Sequence, residues 1–401
     1  MNYNDLFSRA IRRSKASAIR ELLKVTAMPE IISFAGGLPA PELFPTKDVE
    51  EILQDVMKNH AREALQYGTT EGQNSLKDEI IKMLKADNNI QVQRENILIV
   101  SAAQQALDMT ARMFINEGDP IIAPRPTYLG ALQAFQAVGA EMIGADSDES
   151  GVIPAEIEKK LMELEKQGRH AKFVYVVPDF QNPSGTTVTQ ERRVQILELA
   201  KKYNTFILED SPYRQVRFEG NAPRMFYDLD GGQGNVLTLF TFSKIFVPGF
   251  RLGFIIGPKE VIAKYVILKQ AMDLCTSPFL QLVTAEYLRR GLLAAHVKEM
   301  IACYKAKRDV MLESLKKYMP EGVTWTHPEG GLFLWLTLPK HLNASELLKK
   351  AIEYKVAFVA GVDFYPECNV YNDMRLNFSY SSHEQIAEGI KRLAHMISES
   401  L

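Results

Sequence analysis

Cysteine is scarce in this chain of 401 residues, which holds three: Cys275, Cys303 and Cys368. They lie far apart and form no CxxC pair, so neither a disulfide framework nor a zinc site is suggested. Each is expected to be a small buried hydrophobe, and a reducing, cytoplasmic setting is the expected home. Histidine is sparse as well. The seven histidines, among them His60, His170 and His327, are scattered without ligand spacing, which argues against metal catalysis. Charge of one sign is not in excess. The formal net charge is −2, so no basic field invites nucleic acid. No apolar run approaches the roughly 18 residues that a membrane-spanning helix needs. The N-terminus lacks the apolar stretch of a secretory signal. Its basic residues (Arg9, Arg12, Arg13, Lys15, Arg20, Lys24) match a transit peptide in composition, yet they run directly into Ser33-Phe34-Ala35-Gly36-Gly37, which reads as part of the fold. Internal repeats, low-complexity tracts and long linkers are also missing.

What is present is an ordinary globular mixture, 46% apolar and 24% charged, long enough for two domains. Short apolar, β-rich runs occur at Ile97–Val100, Pro120–Ala123, Phe173–Val177, Thr205–Glu209 and Val236–Thr241. Between them lie stretches with helical periodicity, such as Gln104–Asn116, Tyr128–Val138 and Glu191–Tyr203. Short strands that are apolar throughout are buried on both faces, and alternation with helices predicts a mostly parallel sheet with right-handed crossovers. Ligands in such sheets bind at the carboxyl ends of the strands. From about Glu286 the pattern changes: one long helical stretch, Ala285–Tyr318, then Gly330–Leu336, a helix near Ser345–Tyr354 and the run Met374–Phe378. This reads as a second, α+β domain.

The polar residues of interest follow the apolar runs. Thr241-Phe242-Ser243-Lys244 ends one strand, and Arg251 comes seven residues after the lysine. A partly buried lysine in a charge-rich site loses its proton more easily and forms imines with aldehydes. Two hydroxyls and an arginine beside it could cradle a phosphate; the alternative is a surface-loop lysine with an incidental arginine. Glu209-Asp210-Ser211-Pro212-Tyr213 ends another strand. An aspartate there can meet a cationic ring nitrogen or simply cap a helix. In Pro178-Asp179-Phe180-Gln181-Asn182-Pro183-Ser184-Gly185 the asparagine precedes a proline and is extended or in a turn, so its amide can point into a cleft; the other reading is a plain β-turn. Ser101-Ala102-Ala103-Gln104-Gln105 joins a strand to a helix, and free N–H groups at a helix N-terminus bind phosphate, although a simple cap fits equally. Tyr128 can stack on a ring or belong to the core. Arg375 can fork onto a carboxylate or sit in a surface ion pair.

Together, in this order, these residues resemble the class I/II aminotransferases of PLP fold type I, over nearly the whole chain from about Ile19 onward. The resemblance implies an α/β fold: a large domain with a mostly parallel sheet flanked by helices, plus a smaller α+β domain. The expected organisation is an N-terminal arm and helix over residues 1–45, a large cofactor-binding domain over 46–285 and a small domain over 286–401. The implied cofactor is pyridoxal 5′-phosphate (PLP), carried covalently by Lys244, which also moves the substrate Cα proton. Asp210 would pair with the pyridine nitrogen, and Tyr213 and Asn182 would bond the ring's 3′-oxygen. Ala103, Gln104, Thr241, Ser243 and Arg251 would hold the phosphate, and Tyr128 would stack on the ring. Tyr67 would reach the phosphate of a neighbouring subunit, which implies a homodimer with shared active sites. Arg375 would bind the substrate carboxylate, with Asn182, Gly37, Ser17 and Arg20 on the substrate side.

A narrower likeness, carried by Ser17-Ala18-Ile19-Arg20-Glu21-Leu22-Leu23-Lys24 and Phe34-Ala35-Gly36-Gly37-Leu38-Pro39, is to the branch of 2-aminoadipate and kynurenine aminotransferases. There the N-terminal helix covers the site and an arginine at the place of Arg20 meets acidic side chains. Two departures stand out: Ala102-Ala103 where Gly-Ser is usual, and Ser211-Pro212 after Asp210. The implied activity is transfer of an amino group from 2-aminoadipate, glutamate, an aromatic or a branched-chain amino acid to a 2-oxo acid, with 2-oxoglutarate as acceptor, in a ping-pong cycle. Small amino and oxo acids are the expected partners, with no nucleic acid and no membrane. Rival readings are other PLP chemistry on the same scaffold, such as β-elimination, or the ligand-sensing half of a transcription regulator. The roughly 30 residues before Phe34 are too few for a winged helix. Gly231-Gly232-Gln233-Gly234 precedes a strand, so it is a turn and not a dinucleotide loop.

Overall fold

The computed structural model describes residues 1–14, 28, 30–88 and 90–401. Its largest feature is an eight-stranded sheet. The order across it is Ile97–Val100, Gly253–Ile256, Val236–Thr241, Phe206–Asp210, Phe173–Val176, Pro120–Arg125, Glu141–Asp148 and Gly151–Val152. The central pairings are parallel and the pairings of Gly253–Ile256 with both neighbours are antiparallel. Ile97–Val100 and Phe173–Val176 are buried at every position, as strands covered by helices on both faces must be.

Because Ile97–Val100 is antiparallel to a strand that is itself antiparallel to Val236–Thr241, it points the same way as the parallel strands. Six strand ends therefore open on one edge of the sheet, that of Glu141–Asp148 included. That edge collects Ser101–Ala103, Pro126–Tyr128, Pro178–Asn182, Asp210–Tyr213 and Phe242–Lys244.

A second sheet is antiparallel throughout, in the order Thr324–Trp325, Phe333–Thr337, Asp373–Asn377, Val359–Ala360. The helices Leu292–Tyr318 and His383–Ser398 pack against each other beside it. One apolar core runs through both sheets, taking in Ile99, Leu208 and Leu239 from the first and Leu334 and Leu376 from the second. The segment after the N-terminus is tied to the second sheet's side of the molecule: Ile32–Ser33 pairs in parallel with Val356–Ala357, and the Asn377 amide donates to the Phe34 carbonyl at 2.8 Å.

Three expectations need correction. The long helical stretch Ala285–Tyr318 is two helices, Pro278–Arg289 and Leu292–Tyr318, separated at Gly291 with φ +72°. Glycine reaches that left-handed conformation without steric cost, and the helical periodicity on either side hides the break. No cysteine is fully buried: Cys368 is exposed, in a turn at φ +50°, and Cys275 and Cys303 are partly buried. The strand Glu141–Asp148 went unread because its sequence, EMIGADSD, carries few apolar residues and lies toward the sheet edge with exposed positions. Among the described residues no helix is long and apolar enough to cross a membrane, and no group of histidine, cysteine and acidic residues could hold a metal ion.

Candidate active site

A cavity of about 120 Å³ opens at the collecting edge of the large sheet. Its walls include Ala103, Gln104, Tyr128, Asn182, Asp210, Tyr213, Thr241, Ser243, Lys244 and Arg251. They come from strand ends, from the turns and helix start that follow them, and, for Arg251, from the loop before Gly253–Ile256, so the sheet's geometry brings together residues spread over some 150 positions, from 102 to 251. Ala102 and Pro212, both in motifs singled out in the sequence, and Val177 complete the lining.

Lys244 closes a one-turn 3-10 helix, Phe242–Lys244, capped by the Thr241 hydroxyl, which accepts from the Ser243 amide. Its ammonium donates to the Gly37 carbonyl at 2.7 Å, so the segment after the N-terminus reaches the cavity. Burial, then the positive charges of Arg375 and Arg251, lower the Lys244 pKa to about 8. A lysine in that range is a usable nucleophile and proton carrier near neutrality.

Asp210 is the last residue of its strand and not a helix cap. Burial raises its pKa to about 7, against the opposing hydrogen bond from the Tyr175 hydroxyl to Oδ2 at 2.9 Å. Its Oδ1 is buried with no hydrogen-bond partner. Tyr213 is held well above the usual phenol range by burial, opposed by a hydrogen bond with Asn182.

The phosphate-type donors also cluster. The helix Ala102–Phe114 starts with no side-chain cap bond, which leaves first-turn N–H groups free. Arg251 donates to the Ser243 hydroxyl at 3.2 Å and Thr241 donates to the same oxygen at 3.0 Å. Ala102 stands at φ +62° where a glycine would be unstrained. The turn is held from behind, where the Ser101 amide donates to the Gln105 side chain at 2.7 Å and Lys269 and Asp273 bond that glutamine in turn.

Arg375 arrives from the second sheet, on the strand Asp373–Asn377, and is 1% exposed. It donates to Asn182 Oδ1 at 2.9 Å and to the Ala35 carbonyl at 2.6 Å. Its guanidinium lies over the Phe333 ring, 4.2 Å from the centroid, with Phe364 on another side at 5.3 Å. Burial lowers its pKa to about 10, leaving it cationic at neutrality. Among the described residues no carboxylate pairs with it, and its Nε has no hydrogen-bond partner. Gly37 lies where a Cβ would come within 3.1 Å of Phe333, so this backbone approaches the same corner closely.

Of the described candidates, Arg375 and Gly37 stand beside the cavity lining and Tyr67 lies apart from it. Tyr67 is 79% exposed, away from the Lys244 group. Ser17 and Arg20 lie outside the described residues. The principal omission of the sequence reading is Tyr175. The sequence marks it only as the one hydroxyl-bearing residue in Phe173–Val176; the observed register pairs it with Leu208, two residues before Asp210, so both side chains leave one face of the sheet.

The family model described as aminotransferase class I and II matches residues 40–393. The chain belongs to this family. An aromatic-amino-acid aminotransferase of Thermococcus litoralis is 44% identical over 100% of this chain and 96% of its own length. A 2-aminoadipate transaminase of Thermus thermophilus is 35% identical over 99% and 98%. The crystal structure of a Pyrococcus horikoshii kynurenine aminotransferase superposes with a TM-score of 0.96 at 45% identity, covering 100% of this chain and 98% of that one. The aminotransferase is a PLP enzyme of fold type I. The side chains at its cavity fit that cofactor: an amine of lowered pKa, a buried carboxylate with one oxygen unpartnered, and a cradle of hydroxyls, guanidinium and helix N–H groups.

Proposed function

We propose that this aminotransferase takes the amino group of an aromatic or acidic amino acid, 2-aminoadipate and glutamate included, or of a branched-chain one, and passes it to a 2-oxo acid, 2-oxoglutarate first among them, in ping-pong order. One observation carries the reading: a lysine of lowered pKa faces a buried arginine that has no carboxylate partner among the described residues. A buried cation without a counter-ion costs several kcal/mol unless something neutralises it. A substrate α-carboxylate does so, and it places Cα near Lys244.

In this reading Lys244 holds PLP and carries the proton away from Cα with Nζ. Asp210 Oδ1 faces the ring nitrogen, and Tyr213 and Asn182 bond the ring's oxygen. Ala103, Gln104, Thr241, Ser243 and Arg251 hold the phosphate, and Tyr128 packs on the ring. When bound, the cofactor supplies an electron-withdrawing ring that takes up the charge left on Cα. Arg375 and Asn182 orient the substrate, with the Gly37 backbone beside them, and the aromatic walls Phe333 and Phe364 keep water from the guanidinium. The high exposure of Tyr67 supports its meeting a second subunit's phosphate in a homodimer. Relatives named for aromatic amino acids and 2-aminoadipate support a donor range that includes both. Arg20 and Ser17 belong to the substrate side of the proposal, and Arg20→Ala should weaken acidic donors relative to aromatic ones.

The test is a half-reaction. Given one donor and no acceptor, the enzyme should release about one equivalent of oxo acid per site, shift its cofactor absorbance once and stop, as a ping-pong cycle requires. Repeated turnover with ammonia release would replace transamination by an elimination.

A further inference from the structure

Asp210 faces several groups. Tyr175 approaches it from the neighbouring strand and Tyr213 from the turn after its own, while Tyr128, Lys244 and Arg251 line the same cavity. Of these, Tyr175 is the one whose hydroxyl donates to the carboxylate, at 2.9 Å to Oδ2. Tyr175 is fully buried, and its ring meets Phe135 edge-on at 5.6 Å. The hydroxyl is therefore fixed by packing before any ligand arrives.

Without that bond the carboxyl torsion is broad and close to two-fold, and either oxygen could point at the cavity. With it, one oxygen is engaged and the other is left buried and unpartnered. We propose that Tyr175 is a positioning residue for transamination: its hydroxyl orients the Asp210 carboxylate and favours its ionised form, so that Oδ1 is the oxygen presented to the cofactor's ring nitrogen. The inference rests on the reading that Asp210 meets that nitrogen. A hydrogen bond to the charged form opposes burial, which favours the neutral form. A neutral Asp210 could not hold a proton on the ring.

Tyr175→Phe keeps the ring and its packing and removes only the donor. In the full-length protein the variant should bind PLP about tenfold more weakly, the worth of one hydrogen bond to a charged group. The acid side of the PLP-affinity profile should move up by about one pH unit, since the carboxylate then needs less acid to be neutralised. The fall in kcat should exceed any change in KM. Phe135→Leu disturbs the same packing without touching the hydroxyl; it should lower the melting temperature and leave the pH profile in place. In an Asp210→Ala background Tyr175→Phe should have no further effect on PLP affinity. If Asp210→Ala binds PLP like the parent, the reading of Asp210 fails. If Asp210→Ala binds weakly but Tyr175→Phe keeps the parent's affinity and pH profile, or if the two effects add, the role given to Tyr175 is overturned.

Discussion

Residues of the turn Pro178–Gly185 meet buried arginines at two places, a cluster of three and a single one, and these are paired in opposite ways. At one end Asp179, 1% exposed, meets three guanidiniums: Arg193 at 2.8 Å, Arg217 at 3.3 Å and Arg214 at 3.5 Å. Arg214 and Arg217 also reach Asp87 and Glu329, so every cation in this group touches a carboxylate of the protein. Burial pushes the Asp179 pKa up, but the charges of Arg193, Arg214 and Arg217 outweigh it and hold the acid low. Three residues along, Asn182 bonds Arg375, whose other partners are a backbone carbonyl and two aromatic rings. The first group is electrically complete without a ligand and fastens the turn. The second has no carboxylate among the described residues to answer its charge, which marks it for a ligand rather than for stability.

The contrast predicts opposite phenotypes. Asp179→Ala strands buried cations and should cost on the order of 3–5 kcal/mol of stability, read as a lower denaturation midpoint with kcat/KM intact in whatever fraction stays folded. Arg375→Ala should instead leave the unfolding free energy within about 1 kcal/mol of the parent, while kcat/KM falls on the order of 10²–10³-fold for want of the charge-assisted carboxylate clamp. If Arg375→Ala unfolds the protein and Asp179→Ala only slows it, the assignment of the two groups is reversed. A subtler effect reaches Lys244. The rate at which the cofactor-free protein takes up PLP should rise with pH to a plateau with a midpoint at about 8, as the ammonium loses its proton. Removing the Arg375 charge should move that midpoint up, toward the lysine's ordinary value, while burial and Arg251 keep it below; stopped-flow absorbance measures both. The smallest change is expected away from either arginine group, where Ala102→Gly relieves a left-handed alanine and should stabilise the protein by about 1 kcal/mol.

Much of this site can be read in the sequence because most of its residues end or follow an apolar run, and a parallel sheet gathers such positions on one edge. Lys244, Asp210 and Asn182 are all of this kind, and the cavity contains them. Arg375 is visible as a lone arginine in an apolar stretch, but its burial beside Asn182 depends on how the second sheet docks, which no local pattern encodes. Tyr175 was hidden for a different reason. In a strand that is buried along its whole length a tyrosine looks like one more large core residue, and only the register with Leu208 shows that its hydroxyl meets Asp210. The break at Gly291 was masked by helical periodicity on both sides, and the strand Glu141–Asp148 by its polar composition. Asp179 reads as a turn residue, and nothing local announces three arginines drawn from positions 193, 214 and 217.

The central claim is that Lys244 is the residue that carries the cofactor. Its most direct test is to load the purified protein with PLP, reduce it with borohydride to make any lysine attachment permanent, digest it and locate the modified peptide by mass spectrometry. The account predicts one phosphopyridoxyl group per chain, on the peptide that contains Thr241–Lys244, and none in Lys244→Ala. Modification at another lysine in the parent, or an undiminished yield in Lys244→Ala, would contradict it.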